Sequence, residues 1–295
     1  MSRSRACAVR ADMTSKIYGI IGHPVKHSLS PAMQNAAFRA SGIDAEYRTF
    51  DVAPHELEDF LGSLDKEQIS GINVTIPHKI GAKDYIARHG VLDENAKRLG
   101  AVNTIKVTGS KPEGFNTDGP GFYRSLVEEL KFEPEGKTIL ILGAGGAATA
   151  VTMYLGNGPK EIFIYDVDGK RCEDLKAHYS GYYGVERLHI VKGSLERAIE
   201  GADLLINATP VGMKEGDPSP VDKDLLHTGL YVYDLVYNRK TTALVAEATK
   251  AKLHALTGTG MLLYQGAIAF EIWTGKKAPV GVMRRALREE LSKQS

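Results

Sequence analysis

Cysteine is nearly absent from the 295-residue chain, which contains only Cys7 and Cys172. Two cysteines so far apart do not match the ligand spacing of a zinc site, and they cannot form the disulfide framework of a small secreted domain. Such sparse cysteine is typical of proteins from a reducing compartment. We therefore predict a cytoplasmic protein, and we expect no metal site.

The chain also lacks an excess of either charge and any long apolar run. Its 37 Lys and Arg residues nearly balance its 36 Asp and Glu residues, which gives a formal net charge of +1. This balance favours neither nucleic acid nor an anionic membrane as a partner. Apolar runs stay well short of the roughly 20 residues that a membrane-spanning helix requires. Residues 1–12 are interpreted as a frayed leader that is short for a transit peptide, and Met13 is an alternative start.

In place of these features, the chain alternates short β-branched apolar runs with helix-like segments. Alternation of this kind predicts an α/β fold with a largely parallel sheet. A second strand–helix–strand region begins at Lys137. A turn-rich segment over residues 114–119 is predicted to open a further helix near Pro120. In the first half we predict strands over residues 16–22, 45–52, 72–76 and 100–107, and helices over residues 31–41, 54–64 and 81–99.

A predicted strand over residues 72–76 ends beside a lysine. Pro77 ends the strand because it has no N–H to donate to a neighbouring strand. Lys79 follows within two residues, so the strand end would aim a titratable amine from a fixed base. The polar residues Asn73 and Thr75 alternate with apolar ones and therefore share a face. A lone lysine after a proline is usually solvated, so the importance of Lys79 depends on its neighbours in the fold.

Two serines and an aspartate precede predicted helices. Ser30 and Pro31 have the pattern of an N-cap followed by the first helical residue. Ser28 has no such role, and two hydroxyls one residue apart on a loop after a strand are suited to hold a carboxylate. The two roles of Ser30 are compatible with each other. Asp118 precedes another helix, where an N-cap is its ordinary role.

A glycine-rich turn over residues 143–148 has the form G-x-G-x-x-A. The glycines allow a tight turn and let backbone N–H groups approach a pyrophosphate at a helix N-terminus. A strand precedes this turn, a helix follows it, and the next strand ends in Asp166, 23 positions after Gly143. This context favours a dinucleotide site over an ordinary glycine-rich turn.

Asp166 predicts the kind of dinucleotide. A carboxylate at this strand end accepts hydrogen bonds from a ribose 2′-OH and repels a 2′-phosphate, which favours NAD. NADP stays an alternative because Lys170 and Arg171 lie just downstream, although both are ordinary residues for a solvated helix face. Asp168 is interpreted as the cap of that helix.

With these motifs in view, the chain resembles the shikimate dehydrogenase family, including its quinate/shikimate dehydrogenase branch. The matching segments occur in the family's order from Lys16 to about Ala286. They cover residues 27–31, 73–79, 101–104, 116–119, 143–148, 207–213, 234–238 and 258–275.

The resemblance implies a fold and a set of site residues. It implies a substrate-binding catalytic domain over residues 14–117 and 258–295, which is a mostly parallel α/β unit completed by the C-terminal helices, and a Rossmann-type domain over residues 118–257. The implied catalytic pair is Lys79 and Asp118. The implied substrate-binding residues are Ser28, Ser30, Thr75, Asn103, Tyr237 and Gln265. The predicted cofactor-binding residues are Gly143, Gly145, Gly146, Ala147, Asp166, Arg171, Thr209, Met213 and Gly260.

The resemblance also implies an activity, namely reversible reduction of 3-dehydroshikimate to shikimate in the pathway to chorismate and aromatic amino acids. An NAD-dependent quinate/shikimate dehydrogenase of quinate utilisation is the alternative. A non-catalytic nucleotide sensor on the same scaffold is disfavoured because it needs neither Lys79 nor Asp118. The family allows a monomer or a homodimer.

The chain departs from the family pattern at two places. Gln34 replaces a histidine that many members have, and we expect little functional loss from that change. Asp166-Val167-Asp168 stands where biosynthetic NADP-dependent members usually have Asn-Arg-Thr. An acidic residue at that strand end resembles the NAD-using branch.

Overall fold

The computed structural model describes residues 15–109 and 111–293, so the predictions for residues 1–13 lie outside the described part. The strands of the first half are β1 (Lys16–Gly22), β2 (Ala45–Asp51), β3 (Ile69–Val74), β4 (Val91–Leu92), β5 (Thr104–Thr108) and β6 (Lys111–Phe115). The helices of that half are α1 (Ser30–Ala40), α2 (Leu57–Ser63), α3 (Lys79–His89), α4 (Glu94–Leu99) and α5 (Asp118–Glu128).

The second half continues the alternation of strands and helices. Its strands are β7 (Thr138–Leu142), β8 (Glu161–Tyr165), β9 (Leu188–Ile190), β10 (Leu204–Asn207), β11 (Tyr231–Asp234) and β12 (Ala255–Thr257). Its helices are α6 (Gly146–Leu155), α7 (Gly169–Tyr183), α8 (Leu195–Glu200), α9 (Ala243–Lys250), α10 (Thr259–Thr274) and α11 (Val280–Lys293).

The strands form two separate sheets. The first has the order β2-β1-β3-β5-β6-β4, in which β1 pairs in parallel with β2 and β3, while β5 runs antiparallel to β3 and β6. The second has the order β12-β11-β10-β7-β8-β9 and is parallel throughout. The predicted two-domain α/β fold with a Rossmann-type unit is confirmed.

The C-terminal helices return to the first sheet. Side chains from α10 and α11 share a buried apolar cluster with α1 and with strands β1 and β2. Gln34 replaces the histidine of many family members, and we expected little effect from that change. The residue is fully buried on α1, and its amide donates to the carbonyl of Gly266 on α10 (2.8 Å). This bond fastens the first helix of the chain to one of the last.

Two predictions of secondary structure are wrong. The helix expected over residues 81–99 is interrupted by β4, because Gly90 lies against another strand: a Cβ there would stand 1.9 Å from the carbonyl oxygen of Pro112. The segment before Asp118 is not only a turn, since it contains β6. Propensity could not reveal either feature, because β4 forms by pairing with β6 and β6 forms by pairing with both β4 and β5.

No helix within residues 15–109 and 111–293 combines the length and the apolar character that crossing a membrane requires.

Candidate active site

Lys79 is the first residue of α3, directly after the loop that leaves β3. The preceding residue, His78, is buried, and its Nε2 lies 2.7 Å from the carbonyl oxygen of Val52. The carbonyl of Lys79 also accepts a hydrogen bond from the Val102 N–H (2.9 Å). The backbone of the lysine is therefore held on two sides, and the amine extends from a fixed point.

Asp118 begins α5, and the structure brings it to the lysine. Lys79 Nζ lies 2.6 Å from Asp118 Oδ2, although the two residues are 39 positions apart. The lysine side chain is 32% exposed and the aspartate side chain 13%, so the pair faces an accessible space. The N-cap of α5 is Thr117 and not Asp118, which leaves the carboxylate free for the lysine.

Asn103 holds the other oxygen of this carboxylate. Its Nδ2 donates to Asp118 Oδ1 (2.8 Å) and to Thr117 Oγ1 (3.0 Å). Its Oδ1 accepts the Thr117 N–H (2.8 Å). An amide group has two hydrogens to donate, and both are used inside the protein. Asn103 is thus first of all a residue that orients Asp118.

A buried polar chain continues from Asn103 toward the two serines. Asn73 Nδ2 donates to Thr104 Oγ1 (3.0 Å), and Thr104 Oγ1 donates to Asn103 Oδ1 (3.0 Å). The Tyr47 hydroxyl donates to Asn73 Oδ1 (2.6 Å). Burial raises the pKa of Tyr47 well above its ordinary value, and a hydrogen bond with Ser30 acts in the opposite direction. Residue patterns did not reveal Tyr47, because its only local signal is its place in an edge strand.

Replacing Tyr47 with phenylalanine is expected to destabilise the protein by about 1–3 kcal/mol, because the buried Asn73 Oδ1 loses its donor. We also expect a several-fold rise in the substrate KM, since Ser30 loses a hydrogen-bond partner and Asn73, which donates to the Asn103 carbonyl, loses another. Urea unfolding and steady-state kinetics measure the two effects. Tyr18→Phe is the control, because Tyr18 is equally buried and bonds Ser70 instead. A Tyr47 variant that loses stability like this control but keeps its KM contradicts the second expectation.

The prediction that Ser30 caps α1 is wrong. The structure assigns Leu29 as the N-cap residue, without a side-chain hydrogen bond. It is Ser28 whose Oγ accepts a backbone hydrogen bond, from the Ser30 N–H (3.3 Å). Ser28 is half-buried and Ser30 is buried. The hydroxyl of Ser30 therefore faces the polar chain through Tyr47 and not its own helix.

Tyr237 enters the same site from the second sheet. It follows β11 and is 42% exposed. The surrounding protein raises the pKa of its hydroxyl, while the Lys79 charge lowers that pKa and the Asp118 charge raises it. Tyr237 thus lies within electrostatic range of the pair. A cleft between the two sheets accordingly contains groups from both of them.

The remaining predicted substrate residues are half-buried near the same elements. The Thr75 N–H donates to the Ile21 carbonyl (2.9 Å) at the end of the first sheet. Gln265 lies on α10, where its Nε2 donates to the Leu262 carbonyl (2.9 Å). Its backbone packs against Gly121, at which an added Cβ would stand 2.6 Å from the Gln265 nitrogen. This close approach seats α10 directly on the helix that carries Asp118.

The glycine-rich turn forms an open cradle at the start of α6. Gly143 has φ +99°, and an added Cβ would lie 2.8 Å from the Ala208 carbonyl oxygen. At Gly145 and Gly146 an added Cβ would meet no heavy atom within 4 Å. Ala147 is exposed beside them. The helix N-terminus and this free space fit a dinucleotide pyrophosphate.

A loop over residues 208–213 flanks this cradle, and we call it the nicotinamide-side loop. It carries Thr209, whose N–H and hydroxyl both donate to Asn207 Oδ1 (3.1 and 2.7 Å). It ends at Met213, which is 45% exposed. At Gly260, the remaining residue predicted for this side of the cofactor, an added Cβ would stand 2.1 Å from Ser125 Oγ on α5. The need for glycine at that position is explained by helix packing.

Asp166 makes two hydrogen bonds that its position in the sequence did not predict. Its Oδ2 accepts the Ala144 N–H (2.8 Å) and its Oδ1 accepts the Asp168 N–H (2.9 Å). The interpretation of Asp168 as a helix cap is confirmed, since it accepts the Lys170 N–H (3.1 Å). Arg171 is exposed, with its Nε 3.4 Å from Asp168 Oδ2.

The two-sheet fold, the open glycine cradle and the lysine–aspartate pair define a two-domain, dinucleotide-dependent enzyme. Comparison with known proteins agrees. A sequence model described as the shikimate dehydrogenase substrate binding domain matches residues 20–105, and one described as the shikimate 5′-dehydrogenase C-terminal domain matches residues 258–288. The chain belongs to the shikimate dehydrogenase family, which confirms the resemblance seen in its sequence.

Individual relatives cover nearly the whole chain. It is 46% identical to a shikimate dehydrogenase (NADP(+)) of Methanopyrus kandleri over 96% of this chain and 99% of that protein. A crystal structure of a shikimate dehydrogenase in complex with NADP+ is 39% identical, covers 94% of this chain and 96% of its own, and superposes with a TM-score of 0.86. A quinate dehydrogenase of Corynebacterium glutamicum in complex with NAD is 30% identical, covers 93% and 99%, and also has a TM-score of 0.86.

The prediction that Asp166 selects NAD is wrong. The similar enzyme of Methanopyrus kandleri is named for NADP(+), and the crystal structure that superposes well contains NADP+. The physical reason lies in the two hydrogen bonds of Asp166. Because both carboxylate oxygens accept backbone N–H groups, the side chain shapes the glycine-rich turn and its charge is partly offset.

Proposed function

We propose that this chain catalyses the reversible, NADP-dependent reduction of 3-dehydroshikimate to shikimate, in the pathway to chorismate and the aromatic amino acids. The observation that carries the proposal is the 2.6 Å contact between Lys79 Nζ and Asp118 Oδ2, within electrostatic range of Tyr237. Similarity to a shikimate dehydrogenase over nearly the whole chain supports the choice of substrate. A nucleotide sensor would need neither charged group.

Lys79 moves the proton in this mechanism. In the direction of reduction, its ammonium group donates a proton to the substrate oxygen that becomes a hydroxyl, and in oxidation the neutral amine takes the proton back. Asp118 keeps the amine in place, and Asn103 keeps Asp118 in place. The chemistry that the cofactor supplies when bound is hydride transfer to or from the substrate carbon that carries this oxygen. General acid–base catalysis of this kind is typically worth about 10²–10⁴ in rate.

Substrate binding is assigned to groups on both sides of the cleft. Ser28 and Ser30 bind the substrate carboxylate with help from Tyr237. Thr75, Asn103 and Gln265 bind ring hydroxyls. Because both amide hydrogens of Asn103 already have acceptors, a substrate hydroxyl competes with Thr117 for one of them and leaves the bond to Asp118 intact.

The cofactor is assigned to the cradle and the loops around it. Gly143, Gly145, Gly146 and Ala147 hold the pyrophosphate, and Thr209 and Met213 line the nicotinamide side. Asp166 holds the glycine-rich turn in place by accepting the Ala144 N–H. Arg171 is free to turn from Asp168 toward a 2′-phosphate, because its side chain is 62% exposed.

Replacing Arg171 with alanine is expected to weaken NADP binding about tenfold and to leave NAD binding unchanged, since one charge-assisted hydrogen bond is lost. Calorimetric titration with each cofactor measures both values. Arg197→Ala is the matched control, because it removes the same charge from the exposed surface of α8 in the same half of the chain. Equal losses for NADP and NAD contradict the assignment of Arg171 to the phosphate.

One assay tests the proposed reaction. Shikimate and quinate are each offered with NADP+ and with NAD+, and formation of the reduced nicotinamide is followed by absorbance. We expect shikimate with NADP+ to have the highest kcat/KM. Quinate as the better substrate would assign the chain to the quinate branch, and absence of oxidation in all four mixtures would contradict a dehydrogenase of this family.

The wider organisation is part of the proposal. We assign residues 14–117 and 258–295 to the substrate-binding catalytic domain and residues 118–257 to the dinucleotide-binding domain. The return of α10 and α11 to the first sheet supports this division. We further propose a cytoplasmic monomer or homodimer whose partners are small molecules and not nucleic acid.

A further inference from the structure

Asp234, at the end of β11, is a fully buried carboxylate for which the proposed reaction has no role. It accepts hydrogen bonds from Asn207 Nδ2 (2.9 Å), the Val236 N–H (3.1 Å) and the Thr242 hydroxyl (2.6 Å). All three partners are neutral donors. Burial raises the pKa of Asp234 and these donors act to lower it, since hydrogen bonds to a carboxylate favour its ionised form. The fold thus buries this carboxyl group among three donors that suit its ionised form.

The carboxyl group of Asp234 lies against the nicotinamide-side loop. Asn207, which donates to Asp234, is also the residue that holds Thr209 in that loop. Gly212 has φ +102°, and an added Cβ there would be 3.8 Å from Asp234 Oδ2. The backbone of the loop therefore passes directly over the carboxyl group at Gly212.

We propose that the buried carboxylate of Asp234 sets the relative affinity of this site for the oxidised and the reduced cofactor. The proposal rests on the proposed function, because it takes residues 208–213 as the nicotinamide side of the cleft. The oxidised nicotinamide ring is positively charged and the reduced ring is neutral. A fixed negative charge in a low-dielectric interior stabilises only the charged ring. For unit charges about 10 Å apart at an effective dielectric constant of about 20, Coulomb's law gives a preference of about tenfold.

Two other carboxylates near this space contribute less. Asp118 is paired with Lys79, so the pair has little net charge. Asp217 accepts the Gly212 N–H (3.0 Å), but it is partly exposed and water screens its charge. Asp234 is the one of the three that is both buried and bonded to neutral groups alone.

Asp234→Asn tests the proposal because the amide can keep one hydrogen bond with each of the three residues, and only the Thr242 hydroxyl hydrogen loses its acceptor. Its oxygen accepts from Asn207 and Val236, and its NH₂ group donates to the Thr242 hydroxyl, which reverses its direction. The substitution therefore removes the charge and conserves the shape. Calorimetric titration of the full-length protein with NADP+ and with NADPH gives the two Kd values, independently of turnover. We expect the ratio of Kd for NADP+ to Kd for NADPH to rise about tenfold, mainly through weaker binding of NADP+.

Thr242→Val is the matched control, because it removes a hydrogen bond from the same cluster and retains the charge. If it moves the loop, both Kd values change by a similar factor and their ratio stays constant. The proposal is overturned if Asp234→Asn leaves the ratio as in the wild type, or if Thr242→Val changes the ratio equally. If the wild-type protein binds neither form of the cofactor, the proposed function itself fails and this inference fails with it.

Discussion

Replacing Lys79 with methionine is expected to lower kcat by about 10²–10⁴ and to leave KM nearly unchanged, because the variant loses proton transfer while the ring-binding groups stay in place. Methionine keeps most of the apolar stem, and the lysine–aspartate pair is partly exposed. We therefore expect a stability change of no more than about 1 kcal/mol. Steady-state kinetics with shikimate and NADP+, together with urea unfolding, measure the two quantities.

Lys83→Met is the matched control for this variant. Lys83 lies one turn further along α3 and pairs with its neighbour Asp84 at the surface. The control removes the same charge from the same helix without touching Asp118, so its kcat should match the wild type. A Lys79 variant with near-normal kcat would show that another group moves the proton. Equal losses in the two variants would mean that the helix, and not the amine, was disturbed.

The pair of Lys79 and Asp118 was implied by the resemblance to the family, since local patterns gave each residue only an ordinary role. A solvated position is ordinary for a lysine after a proline, and an N-cap is ordinary for an aspartate before a helix. The predicted strand over residues 72–76 is found as β3, which ends at Val74. What local patterns could not reveal is how the intervening amide groups are used. The hydrogens of the Asn103 amide, which we assign to a ring hydroxyl of the substrate, also bond Thr117 and Asp118. Hydrogen bonds of this kind depend on distances between segments that only the folded chain brings together.

The cofactor prediction failed for the same reason. An aspartate at the end of β8 has the residue type and the spacing of a ribose ligand. Its actual partners are the Ala144 and Asp168 N–H groups, and the geometry of a turn decides whether a carboxylate faces a ligand or its own backbone. Asp234 and Tyr47 were overlooked because each lies within a strand of ordinary composition, where one polar side chain gives no periodic signal.

The fold was predictable where each element is specified locally. In the second sheet, the strand predicted before the glycine-rich turn, the helix after it and the next strand are found as β7, α6 and β8. The failures lie around β4 and β6, which are two and five residues long. Short strands of this kind form through pairing with their neighbours in the sheet, β4 with β6 and β6 with β5. Neither has enough apolar periodicity to be recognised by itself.

Substitutions at the glycines of the cradle allow an effect on cofactor binding to be distinguished from an effect on stability. Gly145→Ala is expected to weaken NADP binding by about 10²–10⁴-fold, because the methyl group displaces the pyrophosphate from about two backbone N–H groups worth roughly 1.5–3 kcal/mol each. It should leave the melting temperature nearly unchanged. Gly145 has φ −81°, which alanine adopts readily, and its added Cβ meets no protein atom within 4 Å.

Gly143→Ala, two residues earlier in the same turn, should behave in the opposite way. Its φ of +99° is unfavourable for alanine, and its Cβ would lie 2.8 Å from the Ala208 carbonyl oxygen. We expect destabilisation by about 1–3 kcal/mol, with binding impaired only as far as the fold is. Calorimetric titration with NADP+ and thermal unfolding, applied to both variants, separate the two effects. Normal binding of NADP+ by Gly145→Ala would show that the cradle is not the pyrophosphate site. Unfolding of Gly145→Ala at as low a temperature as Gly143→Ala would show that Gly145 is needed for the fold and not for free space at the start of α6.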